Sequence, residues 1–135
     1  MFIIQFDACD RKNLGLSSIG FVLYYDNLLL AKHYSLINYE VPDSNCAEYI
    51  ALIEAIKFAK SLNINDLHIE GDAKIVIEQV NNKCNVKSNS VKPLLKEVNE
   101  LKKSFNNIEF EHIYRKYNIM ADSLATQALY YHLIK

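Results

Sequence analysis

The chain of 135 residues, 15.6 kDa, fits a single domain, 1–135, and leaves little room for a second. Half of the residues are hydrophobic and 23% are charged, enough apolar surface to offset ordering entropy, which excludes disorder or low complexity as the main theme. The net charge of −1, from 15 Lys plus Arg against 16 Asp plus Glu, taken alone argues mildly against a polyanionic partner.

Cys9, Cys46 and Cys84 are odd in number and widely spaced, unlike a disulfide framework or a tetrahedral zinc site, so no disulfide partner is expected and a reducing compartment is. The amino terminus has no basic region and is interrupted by Gln5 and Asp7, so no signal peptide is expected. No apolar run approaches the roughly 20 residues of a membrane span. These features together predict an intracellular protein, cytoplasmic or nuclear, with no membrane partner, and a monomer is expected.

In chain order, Phe2, Ile4 and Phe6 alternate with Ile3, Gln5 and Asp7, which predicts a strand ending at Asp7. A loop over 10–18 follows. Ile19–Tyr25 and Leu28–Ile37, separated by Asp26-Asn27, read as a hairpin. After the break at Pro42–Asn45, apolar residues at 47, 51, 55, 58, 59 and 62 give a helix of about four turns. Leu67 and Ile69 alternate with His68 and Glu70 in a strand that stops at Gly71-Asp72, and 73–80 follows as a helix. The polar stretch 81–90 reads as a loop. Leu94, Val98, Leu101 and Phe105 mark an amphipathic helix, Ile108–Tyr114 a strand, and Asn118 opens a last helix with Leu124, Ala125, Ala128 and Leu129 inward. The predicted order is β-β-β-α-β-α-α-β-α, an α/β fold.

A strand–helix–strand crossover places its two strands parallel in one sheet, so the strands ending at Asp7 and Asp72 can lie side by side. Both carboxylates would then project from the carboxyl edge, where open α/β sheets bind ligands. Glu48 at the start of one helix and Asp122 in the first turn of another can reach the same edge. Each acid alone has an ordinary explanation: a turn, a cap, a capping box from Asn45 to Glu48, or the helix dipole. Four together would repel and raise one another's pKa unless cations neutralise them. Hard oxygen donors select Mg²⁺ or Mn²⁺, and a pair of such ions supports in-line phosphodiester hydrolysis.

The run Phe6-Asp7-Ala8-Cys9, with Asn13, Gly15 and Ile19–Leu23, resembles the first hairpin of type 1 ribonuclease H. Asn45-Cys46-Ala47-Glu48-Tyr49-Ile50-Ala51-Leu52 is similar to that family's Asn-x-Ala-Glu-Tyr-x-Ala-Leu, and Ile69–Asp72 to its Gly-Asp strand end. Arg115, Asn118 and Ala121–Ala125 match the closing Arg-x-x-Asn-x-x-Ala-Asp-x-Leu-Ala. The resemblance runs in order from residue 2 to 129. It implies a ribonuclease H-like five-stranded mixed sheet flanked by helices, and a two-metal endonuclease that cuts the RNA strand of an RNA/DNA hybrid, leaving 5′-phosphate and 3′-hydroxyl ends. Asp7, Glu48, Asp72 and Asp122 would be the catalytic and metal-binding set for two Mg²⁺ ions, with Mn²⁺ able to substitute. Asp7 would bridge both ions, Glu48 would also lie near the RNA 2′-hydroxyl, and Asp122 would hold the second ion.

Asn13, Asn45, Arg115 and Lys116 are the candidate substrate-binding residues, the last two, just before the final helix, as a pair able to hold a phosphate. His112 is a candidate accessory group, although its place in an alternating strand favours a structural role. The short stretch 79–103, without an added helix and Trp-rich basic protrusion, resembles the compact plant-type or archaeal-type branch. Alternative readings are a nuclease of the same fold acting on DNA, and a non-catalytic domain that binds nucleic acid or protein.

Overall fold

The computed structural model describes residues 1–134. Five strands, β1 (Phe2–Arg11), β2 (Leu16–Tyr25), β3 (Leu28–Ile37), β4 (Asp66–Gly71) and β5 (Asn107–His112), form one sheet in the order β3-β2-β1-β4-β5. The β1–β2 and β2–β3 pairs are antiparallel, and β4 is parallel to both β1 and β5. Four α-helices complete the fold: α1 (Ser44–Ser61), α2 (Lys74–Val80), α3 (Lys92–Lys102) and α4 (Ile119–Leu133). The order matches the predicted one, with two added 3₁₀ turns at Lys12–Leu14 and Arg115–Tyr117.

The period-2 alternation decides which face each strand residue joins. Ile4, Phe6, Leu67, Ile69 and Phe110 point to the layer formed by α1, α2 and α3. There they meet Ala47, Ala51, Leu52, Ala55, Ile56 and Ala59 of α1, with Val76, Val80 and Val98 behind. The alanines let α1 sit close to the sheet, and the same helix packs α3 on its other side, which is why it is buried around most of its circumference. On the opposite face, α4 covers β1, β2 and β3, and β2 is buried on both sides from Ser17 to Leu23.

Contact between α4 and β2 depends on Gly20. A Cβ there would lie 2.5 Å from the Ala125 backbone N and 2.7 Å from the Ala121 carbonyl O, so a bare backbone is required for the approach. The buried Ser18 hydroxyl donates to the Ala125 carbonyl and fastens the same crossing. Gly20 is the register partner of Asp7, so this packing sets the height of α4 beside the first carboxylate.

Three expectations need correction. β1 does not end at Asp7 but runs on to Arg11, because its outer half stays paired with β2 down to Arg11–Leu16; the loop expected over 10–18 shrinks to the turn Lys12–Leu14 and Gly15. What ends near Asp7 is the parallel pairing with β4, whose last register pair is Phe6–Gly71. The cap of α1 is Asp43, whose carboxylate accepts from the Cys46 N–H at 2.9 Å, so Asn45 lies within the first turn and Glu48 is not its capping-box partner. β5 stops at His112, two residues short of the predicted Tyr114.

No described helix is long and apolar enough to cross a membrane. Cys9, Cys46 and Cys84 are free thiols, the first two buried.

Candidate active site

The carboxyl edge of β1 and β4 carries the site. Asp7 lies one residue past the last β1–β4 pair, on the face of β1 that looks toward α4, and is 4% exposed. Asp72 follows the last residue of β4. Glu48 arrives from α1 on the other face, and Asp122 sits in the first turn of α4. Carboxylate oxygens of Asp7, Glu48 and Asp72 come within 4.8 Å of one another. Asp122 joins them around a cavity of about 240 Å³, lined mainly by polar groups that include Arg11, Arg115 and Thr126.

Buried Asn118, just ahead of α4, anchors this arrangement. Its side-chain amide is spent on the Phe6 carbonyl, Nδ2 to O 2.9 Å, rather than on capping its own helix. That bond ties the start of α4 to β1 one residue before Asp7. Arg115 places Nη2 3.6 Å from Asp122 Oδ1 while its side chain remains 79% exposed, an arrangement that contributes little stability and leaves the guanidinium free to meet an anion.

Crowding of like charges in a partly buried pocket has the expected electrostatic result. Burial first, and then the Asp72 charge, push the Asp7 pKa from 3.8 up to about 7, against the pull of the Ala8 N–H hydrogen bond. Burial and the Asp7 charge hold Glu48 well above 4.5. Burial also raises Asp72, offset in part by Asn118 and Arg115. Glu48 Oε1 is buried without a hydrogen-bond partner, a state that costs free energy unless a proton or a cation meets it. The donor set is all oxygen, the pocket is anionic, and one acceptor is unclaimed, so these residues fit hard divalent ions such as Mg²⁺ or Mn²⁺.

The four carboxylates therefore converge, whereas the other singled-out residues do not all join them. Arg115 lines the cavity; Asn13, Asn45, Lys116 and His112 do not. Asn13 is exposed on the Lys12–Leu14 turn, Asn45 is half-buried in the first turn of α1, and Lys116 lies over the Tyr117 ring at 5.1 Å. His112 ends β5 and packs edge-on against Tyr114 at 5.8 Å. Cys9 and Arg11 also line the cavity and were not anticipated. Continuing the alternation of β1 past Asp7 would have found both, since 7, 9 and 11 share one face.

Residues 5–128 match the family model described as reverse transcriptase-like. Ribonuclease HI of Halobacterium salinarum is 30% identical over 125 residues, covering 92% of this chain and 62% of that protein. Its crystal structure superposes with a TM-score of 0.89 over 95% of this chain and 96% of that one. The putative hydrolase EbsB of Enterococcus faecalis is 32% identical over 96% of this chain and 94% of its own length. LC11-RNase H1, solved in complex with an RNA/DNA hybrid, is 26% identical with a TM-score of 0.90, covering 98% of this chain and 99% of that chain. Fold, strand order and helix number agree with these structures, and the chain belongs to the reverse transcriptase-like family as a ribonuclease H-like domain.

Proposed function

We propose that this chain is a divalent-metal-dependent endoribonuclease that hydrolyses the RNA strand of RNA/DNA hybrids and leaves 5′-phosphate and 3′-hydroxyl ends. The observation that carries the reading is the convergence of Asp7, Glu48, Asp72 and Asp122 on one cavity, with a buried Glu48 oxygen lacking any partner. A similar protein bears the name ribonuclease HI, and another was solved with a hybrid bound.

Two Mg²⁺ or Mn²⁺ ions held by these carboxylates would supply Lewis-acid activation of water and stabilise the departing 3′-oxygen. The chain's own residues provide the frame. Asp7, held by the rigid ladder and the Ala8 N–H, is the fixed centre on which the other three acids close. Glu48, on the first turns of α1, would face the 2′-hydroxyl, the group that separates RNA from DNA. Arg115 would meet the phosphate flanking the cut, giving up its weak contact with Asp122. Asn13, Asn45 and Lys116 would touch the hybrid outside the cavity, which suits groups that position the backbone rather than react.

Incubating the protein with end-labelled hybrid, duplex DNA and duplex RNA in Mg²⁺, and again in Mn²⁺, tests the reading. Cleavage confined to the RNA strand of the hybrid is expected, lost by at least 100-fold in Asp7→Asn, as for removal of a principal electrostatic group. Cleavage of duplex DNA instead would identify a DNA nuclease of the same fold, and binding without turnover a non-catalytic domain.

A further inference from the structure

A second group of metal-ligating side chains lies on the same sheet, away from the catalytic edge. Along β4 the alternation that sends Leu67 and Ile69 into the core sends His68 and Glu70 to the opposite face. The β4–β5 register sets Glu109 beside His68 and Glu111 beside Glu70. The main contacts of α4 are with β1 to β3, so among the described residues this part of the face lies beside that helix rather than under it.

His68 Nε2 is 2.9 Å from Glu111 Oε1 and 3.4 Å from Glu70 Oε2, and its other nitrogen, Nδ1, is 3.5 Å from Glu109 Oε2. Gln5 of β1 donates from Nε2 to Glu70 Oε1 at 2.8 Å, fixing that carboxylate with its second oxygen toward the imidazole. The imidazole and Glu70 are largely buried, 16% and 17% exposed, so they are held by packing. Among the described residues no lysine or arginine pairs with Glu70, Glu109 or Glu111.

We infer that His68, Glu70 and Glu111 form a binding site for a single first-row transition ion of the Zn²⁺ class, separate from the catalytic carboxylates. The arrangement is close to that of a metal-ligating histidine oriented by a carboxylate: Glu109 Oε2 stands 3.5 Å from Nδ1, where a small shift lets it accept the Nδ1–H, and that tautomer leaves the Nε2 lone pair facing two carboxylate oxygens. Ligands at about 2.0–2.2 Å from a tetrahedral ion stand roughly 3.3–3.6 Å apart, close to the 3.4 Å from Nε2 to Glu70, so a small opening of the 2.9 Å Glu111 contact admits the ion. Water completes the fourth position. An imidazole nitrogen in the donor set favours Zn²⁺, Co²⁺ or Ni²⁺ over Mg²⁺, so the two sites select different ions. A bound ion would bridge β4 to β5, the edge strand, and offset two of the three negative charges clustered on this face.

Co²⁺ is the probe, because a tetrahedral nitrogen–oxygen site absorbs visible light much more strongly than an octahedral all-oxygen one. Titrating the full chain should give this absorption saturating at one equivalent, displaced by Zn²⁺ but not by Mg²⁺. It should be retained in Asp122→Asn and lost in His68→Gln and in Glu111→Gln. Glu109→Leu should weaken the ion by about 10- to 100-fold, the usual cost of removing a group that orients a ligand. Far-UV circular dichroism checks folding of each variant; Glu111 is 58% exposed, so its variant keeps the test open should His68→Gln not fold. No band in the parent, as expected if His68 merely packs and hydrogen-bonds against its carboxylate neighbours, overturns the inference. So does a band that survives Glu111→Gln or disappears in Asp122→Asn.

Discussion

Asp7 is nearly inaccessible to solvent, and its pKa of about 7 lies far above the 3.8 of an ordinary aspartate. A carboxyl group whose folded pKa is raised binds more protons in the folded than in the unfolded chain between those two values, so stability falls as pH rises across that window. Glu48 and Asp72 are displaced in the same direction and add to the slope. The metal-free protein should therefore melt at a lower temperature at about pH 8 than at about pH 5, the reverse of a protein stabilised by ion-paired carboxylates. Asp7→Asn, which cannot ionise, should melt several degrees above the parent at about pH 8, since each pKa unit corresponds to about 1.4 kcal/mol. Adding Mg²⁺ should raise the parent's Tm and close that gap. Calorimetric scans with and without chelator measure it, and a variant less stable than the parent at high pH in chelator would show that Asp7 is not repelled in the folded state.

At the scale of elements, the site depends on where α4 comes to rest, and Gly20 governs that. Gly20→Ala would drive a methyl group into the Ala121–Ala125 backbone, which cannot rotate away as a side chain can. Overpacking of this kind costs about 1–3 kcal/mol, and the helix relieves it by lifting off β2, carrying Asp122 from the other acids. The expected outcome is a lowered Tm together with a loss of hybrid cleavage larger than the lost stability explains, checked by assaying well below the variant's Tm. Ala128→Gly, farther along the same helix, should cost about 1 kcal/mol through helix propensity, with the lost burial of its methyl adding to it, and so lower Tm but leave cleavage in place.

The elements themselves were legible because their alternations and helical spacings are clean. Their ends were less so, since Asp43 and Asn45 are both good caps and only the folded backbone, extended at Asp43 with its carboxylate on the Cys46 N–H, selects Asp43. The length of β1 was hidden for a related reason: Asp10, Arg11 and Ser17 look like loop residues, yet cross-strand pairing and the Ser17–Asp10 hydrogen bond of 2.7 Å hold them in the ladder.

On the scale of the whole molecule, long-range register decides what the sequence could reveal. The four candidate carboxylates could be found because Glu48, Asp72 and Asp122 lie at or near the start or end of an element, where local pattern marks them, and Asp7 lies where the parallel pairing of β1 with β4 ends although β1 itself runs on. The His68 cluster could not, because the register that brings Glu109 and Glu111 beside His68 and Glu70 joins segments some forty residues apart.

Charge behaves likewise: the net −1 conceals a division between an acidic edge and residues 79–103, where six lysines face Glu97 and Glu100, a net +4 that leaves −5 elsewhere. Glu97 and Glu100 are engaged by Lys57 and Lys103. Lys83, Lys87, Lys92 and Lys96 are exposed and, among the described residues, make no ion pair. A basic flank of this kind attracts a phosphate backbone and releases counterions from it, so hybrid affinity should fall steeply with salt. Replacing Lys92 and Lys96 by Gln in the Asp7→Asn background, where the substrate stays intact, should reduce the slope of log affinity against log salt by about 1–2 units. Fluorescence anisotropy of a labelled hybrid over a salt series measures the slope. An unchanged slope would remove this flank from the binding surface and leave Arg115 and the Lys12–Leu14 turn to carry the contact.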